Sequence, residues 1–477
     1  MTGQTSLRAA ALALLLAGLA AWCATAPAQP GGRPVLPPDE LPAPPGRPGF
    51  TVVPAGPVSD QTNVELRLAV PNRTDRPAAF AVSFFWDRVA EDNLIRKQAV
   101  QVPPGGVALA RAWAPTVRLA GERKLLYRIE GPDGIVQGDW PLTVVASRTP
   151  ALPVLSAGWL DPLAVGRGVY GRERDMAPGD VAAVVDMAKR LGMTTLVVTY
   201  VEYQGSWYYP SRVRFHDPEA GKEVAAERFN FDVVGTILER AEENGMHVLL
   251  GLGRSGDTNL LWEFDKPGWP ERNRRAIGIS QQIAEDLWAR YGHRRSFYGW
   301  YLTHEMNDLE KASAYYDPVA EHCHSLAPEK PVMVAPAGTP KITRDVLERS
   351  KVDIFAYQDA VGAGYVPYQN TYDPKRRLAQ LDEVFVWYRR LHNNSGKHLW
   401  SDLELWERAG PPDRHPTYAA PFGRVKQQID IEARHVDVLT GYELFGFLEP
   451  PRIGAPLPDR RAGRLFEDYA RYVGLGR

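Results

Sequence analysis

Hydrophobic positions divide the chain into four stretches of different character. An apolar run over residues 9–22 follows one basic residue, Arg8, and leads into Ala24-Thr25-Ala26-Pro27-Ala28. A membrane-crossing helix takes about 20 apolar residues and a secretory signal roughly 7 to 15, so residues 1–28 read as a signal peptide cut after Ala28. Lipid anchoring at Cys23 is the weaker reading, because Trp22 stands where lipoprotein signals place a small residue. Residues 29–57 are crowded with proline and glycine, including Pro37, Pro38, Pro42, Pro44, Pro45 and Pro48, which predicts an extended linker. The expected address is outside the cytoplasm, periplasmic or extracellular.

Over residues 58–148 the apolar positions recur every second residue: Val64, Leu66, Leu68 and Val70; Phe80, Val82, Phe84 and Trp86; Val107 and Leu109; Leu125, Tyr127 and Ile129; Leu142 and Val144. Turn clusters such as Pro103-Pro104-Gly105-Gly106 and Gly131-Pro132-Asp133-Gly134 separate them, and no helical period intervenes. The pattern predicts a small all-β sandwich, immunoglobulin-like by pattern.

From about residue 150 to 477 short apolar runs alternate with amphipathic stretches eight times. The strands fall at 154–159, 194–203, 247–253, 297–305, 331–338, 353–362, 398–406 and 441–450. The helices fall at 180–191, 232–244, 271–291, 310–326, 343–350, 376–394, 421–438 and 458–472. Apolar strands joined by crossover helices specify a parallel sheet, and eight such units predict a (β/α)8 TIM barrel. No glycine-rich phosphate loop follows the first strand, which disfavours a dinucleotide-binding sheet.

A barrel of this kind keeps its chemistry at the C-terminal ends of the strands. That rule selects Trp159, Glu202, Arg254, Glu305, Gln358, Asp359, Asp402, Glu404, Trp406 and Glu449. Strand four ends in Phe297-Tyr298-Gly299-Trp300-Tyr301-Leu302-Thr303-His304-Glu305, and strand seven in Leu399-Trp400-Ser401-Asp402-Leu403-Glu404-Leu405-Trp406. These strands face each other across a barrel, so Glu305 and Glu404 can flank one ligand, as glycosidic cleavage by two carboxyls requires. Asp402 shares the inward face with Glu404 one layer deeper, where it is expected to brace neighbouring donors.

At this point the chain resembles the cellulase-like glycoside hydrolases of the large clan A, and more narrowly an uncharacterised family of secreted bacterial barrels related to it. The resemblance covers residues 150–477 and implies that Glu305 is the acid/base and Glu404 the nucleophile. His304 departs from the clan, which usually places Asn before the acid/base. An imidazole there could still donate to a sugar hydroxyl. Around the pair, Trp159, Glu202, Arg254, His304, Tyr357, Gln358 and Trp406 are the expected substrate-binding residues, with Arg254 as the fixed cation. Trp159, Trp207, Trp262, Trp269 and Trp406, with Tyr208, Tyr209 and Tyr365, would stack on sugar faces. Glu202, Asp359 and Glu449 are reserve acids.

Composition narrows the partners. Lys and Arg total 56 against 57 Asp and Glu, without the basic excess of a nucleic-acid-binding surface. Two cysteines, Cys23 and Cys323, make no disulfide framework, and Cys323 is expected inside a helix. His304-Glu305-Met306-Asn307-Asp308 lacks the second histidine of a zinc-protease helix, and no G-x-S-x-G elbow occurs. The sequence thus implies no metal and no cofactor, a carbohydrate partner, no membrane span and a monomer. The alternative to hydrolysis is a non-catalytic glycan-binding barrel of the cell envelope.

Overall fold

The computed structural model describes residues 49–217, 222–224, 230–254, 261, 263–366, 371–410, 416–451, 453–455 and 457–475. The expected signal peptide and most of the linker, and with them Cys23, lie outside the described residues, as does Trp262.

Eight strands build the N-terminal unit: β1 (Phe50–Val53), β2 (Val58–Ser59), β3 (Val64–Pro71), β4 (Ala78–Trp86), β5 (Leu94–Val102), β6 (Val107–Ala114), β7 (Gly121–Gly131) and β8 (Gly134–Val145). They form two sheets, ordered β1-β3-β6 and β2-β8-β7-β4-β5. Val52, Leu66, Leu68 and Val70 of the first sheet share one apolar cluster with Phe80, Val82, Phe84, Leu125, Tyr127 and Ile129 of the second. The two-residue period of these positions is what turns them to a single face. Two differences from expectation have simple causes. β1 falls inside the proline-rich stretch read as linker, because Phe50-Thr51-Val52-Val53 pairs antiparallel with β3. β5 escapes the pattern because Arg96, Lys97, Gln98 and Gln101 interrupt the apolar alternation and only Val102 of the strand is buried.

The C-terminal unit is a closed barrel of eight parallel strands: β9 (Ala157–Leu160), β10 (Thr195–Val198), β11 (His247–Gly251), β12 (Phe297–Leu302), β13 (Val332–Val334), β14 (Ile354–Gln358), β15 (His398–Glu404) and β16 (Val438–Tyr442). Pairing of Thr440 on β16 with Ala157 on β9 closes it. Helices α1 (Pro178–Arg190), α2 (Val233–Glu243), α3 (Trp269–Tyr291), α4 (Leu309–Leu326), α5 (Arg344–Arg349), α6 (Pro374–His392), α7 (Phe422–Glu432) and α8 (Arg460–Tyr472) alternate with the strands. Asp232, Asp308, Thr343, Asp373 and Asp459 start five of them, each side chain accepting a first-turn backbone N–H that the helix cannot satisfy itself. Cys323 is buried in α4, as its place in an amphipathic pattern implies. No helix among the described residues is long and apolar enough to cross a membrane.

Strand eight is the one misplaced element. The apolar run 444–448 suggested a strand at 441–450, but β16 ends at Tyr442, and Leu444, Phe445, Phe447 and Leu448 are buried beyond it. Glu449 is therefore no strand-end acid; it is held bidentately by Arg172, with Nη2–Oε2 at 2.9 Å.

The sandwich closes the floor of the barrel. Val53 and Ala55 enter the same interior cluster as Leu249, Tyr298, Met333, Ile354 and Trp400, and the Tyr298 hydroxyl donates to the Val52 carbonyl at 2.7 Å. Trp140 stacks on His247 at the start of β11, with ring centroids 4.8 Å apart. Beside it, Arg67 donates to Asp353 (2.7 Å) and to the carbonyls of Pro328 (3.0 Å) and Glu329 (3.1 Å), while Glu65 meets His398 (3.0 Å). His247, Tyr298, Pro328, Glu329, Asp353, Ile354 and His398 lie at or before the N-terminal ends of their strands, so the sandwich meets the barrel at the end away from the strand-end carboxyls.

Candidate functional site

Inward and outward positions along β15 decide what reaches the mouth. Trp400 lies in the interior cluster, whereas Leu399 and Leu403 pack outward against the helices. Asp402 and Glu404 share the parity of Trp400 and point inward. Across the barrel, Tyr301 of β12 belongs to the interior cluster, and Glu305 follows three residues after the strand ends. The Glu305 side chain keeps 31% of its surface exposed and meets Arg254 at 3.5 Å; the Arg254 side chain is only 6% exposed.

Glu404 is 7% exposed. Its Oε2 accepts the Ala363 N–H at 2.7 Å from the loop after β14. That approach needs Gly362, since a Cβ there would meet the Trp406 carbonyl and lie 3.0 Å from Glu404 Oε2. Burial, followed by the charge of Asp359, pushes the Glu404 carboxyl up to about 8 against the pull of the Ala363 N–H and of Arg424. Asp402 is 4% exposed and is held well above the carboxylate range by burial and then by Glu404, Asp359 and Glu305. Glu305 and Glu404 are thus both among the charges that bear on Asp402.

Trp159 forms the floor beneath them. Its ring lies edge-on to Tyr301 (4.9 Å) and Tyr442 (5.8 Å), and its indole N–H donates to Thr440 at 3.2 Å. Gln358 reaches the rim, where its Oε1 accepts the Gly338 N–H at 2.9 Å. Arg254 and Glu305 are brought together as expected, and Glu202 explains how: its two oxygens accept the Gly205 N–H (2.7 Å) and the Arg254 N–H (3.1 Å). Glu202 is fully buried and thus braces the loop that carries Arg254 instead of facing a ligand.

Several expected contacts are corrected. Tyr357 has the outward parity of β14: it stacks on Tyr388 of α6 at 3.8 Å and 9°, with its hydroxyl 3.1 Å from His392. His304 is 3% exposed and sits edge-on to Tyr315 of α4 at 4.9 Å; burial and then Arg254 keep its imidazole well below its usual range, hence neutral. Trp406 is largely buried in the helix-facing cluster with the Arg408 guanidinium 5.2 Å above its ring. Trp207, Tyr208 and Tyr209 are buried as well, so most of the loop aromatics build core and not an open stacking groove. Asp359 is buried behind Glu404, where Gln428 donates to it, and it serves as the second-row charge acting on Glu404.

The sequence reading missed a second polar group at the ends of β16, β9 and β10. Glu443 accepts the Tyr170 hydroxyl (2.6 Å) and the Asp161 N–H (3.1 Å), and Asp161 accepts the Tyr200 hydroxyl (2.5 Å). Burial raises Asp161 to about 6 against these donors, and Arg254 also acts on it. Correct placement of strand eight would have flagged Glu443, the residue immediately beyond β16.

A family model matches residues 182–454, more than half of the chain. The chain belongs to the DUF4434 family, described as a domain of unknown function. The match in this DUF4434 chain runs from inside α1 to beyond β16 and leaves the sandwich outside. No curated protein sequence matches it. Among solved structures, the "putative alpha-L-fucosidase" of Bacteroides thetaiotaomicron VPI-5482 is similar with a TM-score of 0.51 and 18% identity, over 68% of this chain and 94% of that one. That likeness shows a shared fold. Bacteroides uniformis β-glucuronidase 2 aligns with a TM-score of 0.37 and 10% identity, over 83% of the DUF4434 chain and 45% of its own. The GH2 β-galacturonidase of Eisenbergiella tayi aligns with a TM-score of 0.37 and 11% identity, over 80% and 61%. The DUF4434 chain thus spans about half to three fifths of these two longer enzymes.

Proposed function

We propose that the protein is a glycoside hydrolase of the cellulase-like kind, exported, that cleaves an oligo- or polysaccharide with Glu305 as acid/base and Glu404 as nucleophile. The observation that carries this reading is the pair of carboxyls delivered by strands four and seven of one closed barrel, Glu404 buried against the Ala363 N–H and Glu305 set beside Arg254. Their exposure differs in the way the two roles require, and the raised Glu404 carboxyl attacks only once it has ionised. An acid/base must exchange its proton with solvent and leaving group, and Glu305 is the more exposed of the two. A nucleophile must be fixed and dry, and Glu404 is buried and oriented by the Ala363 N–H. Arg254 fixes Glu305, Trp159 supplies the apolar floor and Gln358 a polar rim. The fold shared with the B. thetaiotaomicron structure is compatible with this reading, and export follows from the pattern of residues 1–28.

The test is release of reducing ends from a panel of polysaccharides and aryl glycosides by the full chain, with Glu305→Gln and Glu404→Gln as controls. Sugar release lost in both variants supports hydrolysis. No release by the unmodified protein, with sugars bound equally by all three, would establish a non-catalytic glycan-binding barrel instead.

A further inference from the structure

Two inward carboxyls two residues apart on β15 pose a question of charge. Asp402 lies deeper than Glu404, and among the described residues its Oδ1 has no hydrogen-bond partner. Glu404 surrounds Asp402 from its own strand, Glu305 from beyond β12, Asp359 from beyond β14 and Glu432 from α7. Asp402 also acts on Tyr301 of β12, and the Trp159 indole of β9 favours its charged form. The cations stand elsewhere: Arg254 is engaged by Glu305, while Arg424 and Arg408 act on Glu404. Carboxylates crowded in a dry site cannot all ionise, and the proton stays where a charge would be least supported. Glu404 has a backbone donor and two guanidinium groups acting on it, whereas Asp402 Oδ1 has no hydrogen-bond partner among the described residues.

We propose that Asp402 is a positioning residue that retains the buried proton of this pair, so that Glu404 is the one of the two that ionises as pH rises. It acts through Glu404 and not on the sugar. A permanently neutral neighbour lets Glu404 ionise against Asp359 alone, and the acid O–H remains a donor inside the interior. The inference rests on reading Glu404 as the nucleophile, but its test uses no sugar turnover, so failure of one does not imply failure of the other.

The test is the pH dependence of chemical unfolding of the full chain and of Asp402→Asn between pH 6 and 8. An aspartate that keeps its proton when folded releases it on unfolding, where its ordinary value is about 3.9. The folding constant of the unmodified protein should then fall about tenfold more per pH unit than that of Asp402→Asn. A purely structural role would displace the two curves without changing their relative slope. Parallel curves would overturn the proposal. Should Asp402→Asn fail to fold, the 13C carboxyl resonance of Asp402 in aspartate-labelled protein decides: a protonated shift throughout this range supports the assignment, and an ionised shift refutes it.

Discussion

Removing Arg67 should collapse the barrel and the sandwich together. The guanidinium is 1% exposed and lies between two buried carboxylates, Glu65 at 3.1 Å and Asp353 at 2.7 Å. It also donates to the Pro328 and Glu329 carbonyls that precede β13. In Arg67→Ala, Glu65 and Asp353 keep their burial and lose their principal cation. Breaking a buried pair by removing one partner costs about 3–5 kcal/mol, because the charge left behind is uncompensated. The two orphaned carbonyls push the cost toward the upper end. Replacing the cluster with apolar groups, as in Glu65→Leu with Arg67→Met and Asp353→Leu, should recover much of the loss, since burying ions confers little net stability. The assay is urea unfolding followed by tryptophan fluorescence and far-UV circular dichroism. Val53 and Ala55 lie inside the barrel interior, so one coincident transition is expected from both probes. A loss under about 1 kcal/mol, or a sandwich that melts apart while the barrel remains folded, would refute the view that the sandwich is the barrel floor.

Three further outcomes follow from the same geometry. With Glu404 as nucleophile and its carboxyl pushed up to about 8, kcat/KM on an aryl glycoside should rise as pH passes from 6 to 9; a fall over that range would make Glu404 the proton donor instead. Gly362→Ala should drive a Cβ into the Trp406 carbonyl and displace Glu404 from the Ala363 N–H, lowering kcat about 10²-fold with little change in circular dichroism; unchanged kcat would show that this contact does not orient the nucleophile. Burial would raise Glu65, but Arg67, His398 and Arg111 together lower it to about 2 from 4.5. Its contribution is complete above about pH 4.5 and is lost as pH falls toward 2, so acid unfolding should begin in that window and be blunted in Glu65→Gln; identical acid curves would contradict the pairing.

The barrel was legible because its strands are continuous apolar runs and its helices are amphipathic, and those two periods survive without knowledge of contacts. Seven strands fell within a few residues of their observed places. The eighth did not, because 444–448 is as apolar as a strand yet packs as a buried loop, and with it Glu443 was lost and Glu449 wrongly promoted. Within the candidate site, the strand-end rule selected Glu305, Glu404, Asp402 and Arg254, which stand at or just beyond the ends of their strands. It failed at Tyr357, whose side is set by a one-residue parity that strand-end counting ignores. It also failed for the aromatics, because Trp207, Tyr208 and Tyr209 look alike in sequence whether they face a ligand or a core. The floor was invisible: Glu65 and Arg67 lie in the sandwich pattern, and nothing local indicates that their partners are some 260 to 330 residues away.

The two ends of the barrel treat buried acids in opposite ways, and the contrast is itself evidence about where chemistry sits. At the floor, burial is overcome by Arg67 and histidines, and Glu65 and Asp353 are held below the ordinary carboxylate range. At the mouth, burial prevails: Asp402, Glu404 and Glu443 are all raised, and Arg254 is the cation set beside Glu305. Carboxyls whose burial outweighs their partners oppose folding and are characteristic of functional sites. Neutral replacement should therefore have opposite signs at the two ends. At pH 9, where Glu404 carries its charge when folded, Glu404→Gln should raise unfolding free energy, because the folded state no longer holds a charge repelled by Asp359. Glu65→Gln should lower it, since Arg67 loses a partner it was placed to meet. The comparison is made by urea unfolding of both variants beside the unmodified chain at one pH. Destabilisation of both would mean that Glu404 is a structural acid like Glu65, and the case for a nucleophile there would lose its electrostatic support.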